Sequence, residues 1–396
     1  MRARGAVAYA VGLVAFLCAG LWLGGHPAKL PELLRDAFVG APAGLTAEAS
    51  ELIEDSYFRP VGETELGNAS LQGMVRELRQ RHDDRFTEYF SPQSRESFNE
   101  AIEGHFSGVG MTVVPVDRGL RVVQVFPRSP AEGAGIVPGD TIVSVDGDSI
   151  AGESSTEATR KIKGPEGTEV TVGVRDAKSG KVRQLRLTRA EVTLPNVSSR
   201  VETVDGLELG YVRMLSFSEG VHSQLAAAVR KVEREGAEGV VLDLRGNPGG
   251  LLDEAVLSAS LFLPKGAVVV STESRSRGRS VHKSVGGTLP ERPIVVLIDR
   301  GTASAAEILA AALSEDAEAP VVGTRSFGKG VFQEEQGLAN GGALKLTVGE
   351  YFTPDGVNLA RSKGIHPDVK ASDDPETTVD EGKERALDVL AGQVEG

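Results

Sequence analysis

The chain has 396 residues and a formal net charge of −13, from 43 Lys and Arg against 56 Asp and Glu; 40% of it is hydrophobic and 25% charged. This composition excludes a chain disordered throughout and a fibrous repeat, and the length predicts about two or three domains, each able to bury a core. The acidic balance argues against nucleic acid as the main partner, because phosphate binding needs a basic face. The single cysteine, Cys18, excludes an internal disulfide framework and a cysteine-cluster metal site.

Arg2 and Arg4 precede an uncharged run from Ala6 to Gly25. At about 20 residues the run matches the ~30 Å hydrocarbon core of a bilayer. Trp22 lies near its far end, where interface aromatics sit. Residues 1–25 are therefore expected as a transmembrane signal anchor, single-pass in the cell membrane, with the catalytic part extracytoplasmic. A cleaved signal is the alternative, leaving the remainder secreted or periplasmic. Residues 26–44, with Pro27, Pro31, Gly40, Pro42 and Gly44, read as a linker.

Over 45–104 apolar residues recur three and four apart (Leu52, Ile53, Phe58, then Leu71, Met74, Val75, Leu78), which predicts a helical segment. Over 105–188 the period changes to two: Val122, Val123 and Val125, then Ile142, Val143 and Val145, then Val170, Val172 and Val174, then Leu185 and Leu187. Turn residues separate these runs, so a small β-rich domain is expected. Over 189–372 strands and helices alternate. Leu207–Met214 reads as a strand. Ser216 and Glu219 have capping-box spacing, and Val221, Leu225, Val229 and Val232 form one helix face ended by Gly236. GVVLDL (Gly239–Leu244) and IVVLI (Ile294–Ile298) read as strands buried on both faces. Helices are expected over 251–263 and 304–314, and further strands over 320–324 and 342–351. Such alternation implies a mostly parallel sheet with covering helices. Residues 373–396 read as an acidic tail with one weak helix, Glu384–Leu390.

Ser304, in GTASAAEI, follows IVVLID directly and opens a helix. A strand-to-helix turn presents its side chain at the carboxyl edge of the sheet, and the next N–H groups carry the positive end of the helix dipole. An oxyanion needs such donors. From this segment alone two roles stay open: helix N-cap and nucleophile. Further on, Gly323 to Lys329 spells the G-x-x-x-x-G-K of a phosphate loop. Gly330 stands where Ser or Thr would ligate Mg²⁺, and the following VFQEEQGLANGG predicts a hairpin rather than a helix, so nucleotide binding is rejected. Lys329 between two glycines instead suggests a Ser/Lys dyad with Ser304. A serine hydroxyl needs a base, and a lysine kept neutral by burial supplies one. Gln333 is spaced to hold the lysine by a hydrogen bond. His222, His282 and His366 lie in the same region in no recognisable catalytic context. No metal-ligand cluster and no cofactor motif is present, so neither metal nor cofactor is expected.

Several separate motifs, in order, carry a family resemblance. His82-Asp-Asp-Arg-Phe-Thr-Glu-Tyr-Phe90, Phe106-Ser-Gly-Val-Gly-Met111, Ser129-Pro-Ala-Glu132, Ala134-Gly-Ile-Val-Pro-Gly-Asp140, Ile142-Val-Ser-Val-Asp-Gly147, Asp243-Leu-Arg-Gly-Asn-Pro-Gly-Gly250, GTASAAEI, SFGKGVFQ, Leu344-Lys-Leu-Thr347, Tyr351-Phe-Thr-Pro-Asp-Gly356 and GIHPDV follow one another from about Leu45 to Val369. Together they resemble the C-terminal processing (tail-specific) serine peptidases with an embedded PDZ domain. The resemblance implies a multidomain α/β fold: a crotonase/ClpP-like protease core, a PDZ domain and a helical pre-domain. It implies Ser304 as nucleophile, Lys329 as general base, Gln333 as its orienting partner, and the N–H of Ala305 with that of Gly249 or Gly250 as oxyanion hole. Thr302 and Ala306 stand where the family often has serine. Arg325 and Ser326 are less usual and are candidates to tune the entrance.

The Gly108-Val109-Gly110-Met111 loop is then expected to capture a C-terminal carboxylate, with Met111–Val116 adding a peptide strand by β-augmentation and Val109 and Met111 shaping an apolar pocket. The expected protein is a membrane-anchored serine endopeptidase that binds protein C-termini and cleaves through an acyl-enzyme. A catalytically silent PDZ adaptor is the alternative. A crotonase-like acyl-CoA enzyme leaves the PDZ loop and export segment unexplained. The helical pre-domain is a candidate homodimer contact.

Overall fold

The computed structural model describes residues 41–287, 289–373 and 377–396. The expected anchor over 1–25 lies outside them, and so does the linker apart from its last residues, which open the helix Ala41–Ser56. Among the described residues no helix is long and apolar enough to cross a membrane. The described residues divide into two compact units, 41–91 with 335–346, and the described part of 92–334 with 347–396.

In the first unit, helices Ala41–Ser56 and Glu63–His82 precede the strand Glu88–Phe90. That strand pairs antiparallel with the start of Ala343–Phe352, Glu88 facing Lys345 and Phe90 facing Ala343. The second helix ends because Asp83 turns into the left-handed region at φ 50°. The next residue, Asp84, accepts the N–H groups of Phe86 and Thr87 at 2.9 and 3.2 Å, so the His82–Phe90 motif builds an Asx turn.

The second unit holds the β-rich domain and the larger α/β core. The β-rich domain is an antiparallel sheet in the order Met111–Val116, Gly119–Val125, Thr141–Val145, Glu169–Arg175, Val182–Thr188, with Met111–Val116 at its edge. The alternating Val and Ile residues point inward: Val122, Ile142, Val145, Val170, Val172 and Val174 form its core. The helix Ser155–Ile162 carries a capping box between Ser154 and Glu157.

The core is a six-stranded sheet whose strands follow chain order: Val197–Val204, Leu207–Met214, Val240–Asp243, Ile294–Ile298, Val321–Gly323, Val369–Lys370. The first pair is antiparallel and every later pair parallel. Side chains alternate across the sheet. Val212, Leu242 and Val296 face the helices Val221–Arg234, Leu252–Ser260 and Ala305–Asp316. Tyr211, Val241, Val295 and Leu297 face Ala386, Leu387 and Leu390 of the helix Glu381–Glu395. Both faces are covered, which is why the strands read as continuous apolar runs.

Two expectations are corrected. The last residues are not merely an acidic tail: a helix of 15 residues, Glu381–Glu395, covers one face of the sheet. Ser216 and Glu219 do not cap the helix that follows. Its N-cap is Gly220, at φ 74°, and Ser216 Oγ donates to Asn196 Oδ1 at 2.9 Å instead. The capping work falls to Glu254, whose carboxylate accepts the N–H groups of Gly220 and His222 at 2.8 and 3.0 Å.

Candidate active site

Ser304 lies in the turn between the buried strand Ile294–Ile298 and the helix Ala305–Asp316, at the N-cap position. Its backbone is at φ 57°, ψ −119°, a conformation non-glycine residues rarely hold. The surroundings enforce it. Thr302 Oγ1 donates to the Leu244 carbonyl at 2.9 Å, Ala303 N–H donates to the Asn247 carbonyl at 2.9 Å, and Ser304 N–H donates to Glu307 Oε2 at 2.9 Å. The side chain is half-buried.

Glu307 was not singled out by sequence, although its three-residue offset from Ser304 is capping-box spacing. It is fully buried and collects four donors. Besides Ser304 N–H, Oε2 accepts Lys329 N–H at 3.0 Å; Oε1 accepts Gly328 N–H at 2.7 Å and Ser326 Oγ at 2.5 Å. Burial raises its carboxyl pKa, and these hydrogen bonds oppose the rise. Tyr351 is buried as well, and burial together with the Glu307 charge holds its phenol protonated.

Lys329 is half-buried rather than extended into solvent. Its Nζ donates to Gln333 Oε1 at 2.7 Å, and Gln333 Nε2 donates to Thr347 Oγ1 at 3.3 Å. Donation to Thr347 sets which end of the amide faces the lysine. The flanking glycines are demanded by packing: a Cβ on Gly328 would lie 2.8 Å from Gly364 N, and one on Gly330 would lie 2.4 Å from Asn358 Oδ1. The strand Val331–Gly337 follows, so no helix N-terminus is offered to a phosphate.

The loop after Val240–Asp243 is anchored from both sides. Asp243 is fully buried, accepts Tyr211 Oη, and binds Arg245 through its N–H at 2.9 Å and its Nη2 at 2.9 Å. Arg245 reaches on to Asp380 with Nη1 at 2.8 Å and Nη2 at 2.9 Å. Asn247 Nδ2 donates to the Met214 carbonyl at 3.0 Å, and its Oδ1 accepts Gly249 N–H at 2.9 Å. Gly249 abuts the serine: a Cβ there would lie 2.8 Å from Ser304 Cβ and 2.9 Å from Ala305 N. With the Gly249 donor committed to Asn247, the Gly250 N–H is the one of the pair without an acceptor among the described residues. Its parallel bridge with Phe217 uses the Gly249 carbonyl and the Leu251 N–H. Ala305, at the first helical position, likewise has no acceptor for its N–H.

The three histidines have other partners. His222 Nδ1 lies 2.8 Å from Glu254 Oε2, His282 Nε2 is 3.2 Å from Thr272 Oγ1, and His366 Nε2 is 3.3 Å from the Ser362 carbonyl. In the β-rich domain, Val109 is buried and its carbonyl accepts Ala131 N–H at 2.8 Å, while the Gly110 carbonyl accepts Phe126 N–H at 3.0 Å. The N–H groups of Val109 and Gly110 meet no acceptor among the described residues. Gly108 pairs with Ala190, and Met111, half-buried, opens the edge strand.

The model of peptidase family S41 matches residues 208–371 and a PDZ-domain model matches 121–176. The carboxy-terminal processing protease CtpA of Bacillus subtilis is 36% identical over 324 residues, 82% of this chain and 68% of that protein. This chain belongs to peptidase family S41. It is thereby a member of the carboxy-terminal processing serine proteases. A probable CtpA-like serine protease of Staphylococcus aureus is 33% identical over 342 residues, covering 86% of this chain and 65% of that one. The chain thus spans about two thirds of the length of these relatives. Among solved structures, the photosystem II D1 C-terminal processing protease aligns with a TM-score of 0.50 and 28% identity over 88% of this chain and 98% of that chain. The S41 match takes in the loop 243–250, Ser304, Lys329 and Gln333.

Proposed function

We propose that this S41 peptidase is an endopeptidase working through a Ser304/Lys329 dyad, and that its PDZ domain delivers protein C-termini to it. The observation that carries the reading is Lys329 Nζ held by Gln333 Oε1 at 2.7 Å in a segment that Glu307 also binds to Ser304. Neutral Lys329 takes the Ser304 hydroxyl proton as Oγ attacks the scissile carbonyl carbon. The carbonyl oxygen becomes an oxyanion that the N–H groups of Ala305 and Gly250 stabilise. Collapse of the intermediate breaks the C–N bond, and Lys329 returns the proton to the leaving amine. Water then hydrolyses the acyl-enzyme by the same proton route, freeing Ser304. No cofactor takes part.

The unengaged N–H groups of Val109 and Gly110, beside the edge strand Met111–Val116, suit capture of a terminal carboxylate and its strand. A homodimer is supported by apolar side chains left exposed on the first unit: Leu52 at 60%, Phe58 at 76% and Met74 at 62%. The apolar run Ala6–Gly25 behind Arg2 and Arg4 supports a membrane anchor with the peptidase outside the cytoplasm.

The test uses protein lacking residues 1–27 on an unfolded polypeptide, with binding of a tail peptide read in parallel. Ser304→Ala and Lys329→Ala should each abolish cleavage and leave tail binding intact. Cleavage by Ser304→Ala at the wild-type rate rejects the dyad. Tail binding without cleavage by the wild type would make the chain a PDZ adaptor.

A further inference from the structure

Where the parallel strands Ile294–Ile298, Val321–Gly323 and Val369–Lys370 end lies a cavity of about 530 Å³. Arg300, Arg325, His366 and Lys370 line it, with Thr324 and Ser372. All four of the basic residues are exposed. Arg300, Arg325 and Lys370 have no ion pair or side-chain hydrogen bond among the described residues. Elsewhere in the same unit Arg186, Arg200, Arg245, Arg277 and Arg361 each meet a carboxylate.

None of the described acidic residues beside the cavity forms an ion pair with these three cations. Asp299 Oδ1 accepts the N–H groups of Gly246 and Gly301, both at 2.8 Å. Asp368 Oδ2 accepts Val321 N–H at 2.8 Å. Asp373 accepts Gly382 N–H at 2.9 Å with one oxygen and pairs with Arg245 at 3.2 Å with the other. Three cations with no ion pair among the described residues therefore share one concavity in a chain of net charge −13. Such a field attracts an anion, and two guanidinium groups suit a carboxylate.

Sequence distance ties the cavity to the proposed site. Arg300 precedes Ser304 by four residues and Arg325 precedes Lys329 by four, so each Cα lies within about 14 Å of its reacting residue's Cα. The two segments are also joined, since Phe327 N–H donates to the Thr302 carbonyl at 2.9 Å. We propose that Arg300, Arg325 and Lys370 form a subsite for carboxylate side chains of the polypeptide substrate. The subsite rests on the peptidase reading given above. An extended peptide rises about 3.3 Å per residue, so the acidic residues that Arg300 and Arg325 read lie within about four positions of the scissile bond.

Two measurements test this. In the first, a peptide library is digested and acidic residues are counted within four positions of each cut. In the second, the Ser304→Ala protein is titrated with a C-terminally amidated peptide carrying four glutamates, and with its glutamine counterpart. Amidation keeps the PDZ loop from reading the peptide's end. Wild-type cuts should be enriched in acidic neighbours. The glutamate peptide should bind about five- to tenfold more tightly than the glutamine one, an advantage that shrinks as salt rises from about 50 to about 500 mM. Adding Arg300→Gln, Arg325→Gln and Lys370→Gln together should abolish both preferences, and Arg325→Gln alone should reduce them, with thermal unfolding showing that each variant folds. Equal binding of the two peptides, or an undiminished preference in the triple variant, overturns the subsite. Displacement of the glutamate peptide by equimolar inorganic phosphate or free glutamate overturns it in favour of a free-anion site. A library left uncut defeats the peptidase reading instead, and the titration still decides whether the carboxylate site exists.

Discussion

Ser304 and Lys329 donate their backbone N–H groups to the same atom, Oε2 of Glu307, at 2.9 and 3.0 Å. One buried carboxylate thereby sets the spacing of the proposed nucleophile and base. Glu307→Gln keeps the shape but replaces one acceptor oxygen by an NH₂ donor. Whichever way the amide turns, at least one of the four donors then faces another donor. The expected result is a fall in kcat of about a hundredfold or more, because the spacing of the two segments is no longer fixed.

The same residue predicts a pH trend. Burial holds the folded-state pKa of Glu307 above its ordinary value of 4.5. A raised carboxyl favours the folded state while it is protonated. Its contribution is full below the unfolded pKa and is lost as pH rises through the folded one. Stability of the wild type relative to Glu307→Gln should therefore decline as pH rises above about 4.5. Chemical unfolding curves of both proteins between about pH 4 and pH 8 check this; a gap that widens with pH in favour of the wild type would refute it.

Much of this arrangement was legible in sequence, and the failures have physical reasons. GVVLDL and IVVLI announced buried parallel strands because both their faces are covered. Ser304 and Lys329 stood out because their flanking residues are so small. Glu307 did not, since an acid in the first turn of a helix is usually a solvated cap, and only the fold brings Gly328 and Lys329 against it. The helix Glu381–Glu395 looked weak because its polar residues dominate; it forms because Ala386, Leu387 and Leu390 pack on the sheet. Ser216 and Glu219 had the spacing of a cap, but Asn196 and Glu254 compete successfully for the groups concerned.

Gly249 and Gly246 make a paired prediction. Both have positive φ, 97° and 68°, so a side chain at either is strained. A Cβ on Gly249 would meet Ser304 Cβ and the Ala303 carbonyl at 2.8 Å, whereas one on Gly246 meets nothing within 4 Å. Gly246→Ala should cost about 1 kcal/mol of stability and keep most of the activity. Gly249→Ala should cost more and reduce kcat at least about a hundredfold, because the proposed oxyanion donors shift. Tail-peptide binding should persist in both.

Arg245 couples the C-terminal helix to the proposed oxyanion loop, binding buried Asp243 on one side and Asp380 on the other. A lysine has no planar fork to span both. Arg245→Lys is expected to lose about 1–3 kcal/mol and to lower kcat more than it changes KM. Asp380, whose pKa Arg245 holds below the ordinary 3.8, adds an acid limb. Its contribution is present above the unfolded pKa and is lost as pH falls through the folded one. Asp380→Asn should therefore remove part of the wild type's loss of stability below about pH 4, as read by thermal unfolding.

Gln333 offers the most direct test of the base. It accepts from Lys329 Nζ at 2.7 Å and is itself fixed by Thr347 at 3.3 Å. Gln333→Ala frees the lysine rotamer and should lower kcat about tenfold without altering tail binding. Gln333→Glu sets a carboxylate beside the amine, which stabilises the ammonium form and withdraws the neutral base at neutral pH. The rise in the pH–rate profile of kcat/KM should move to higher pH by about one unit or more, while the rate at high pH recovers most of its wild-type value. If the profile of Gln333→Glu overlays the wild type, Lys329 is not the group whose deprotonation limits the reaction.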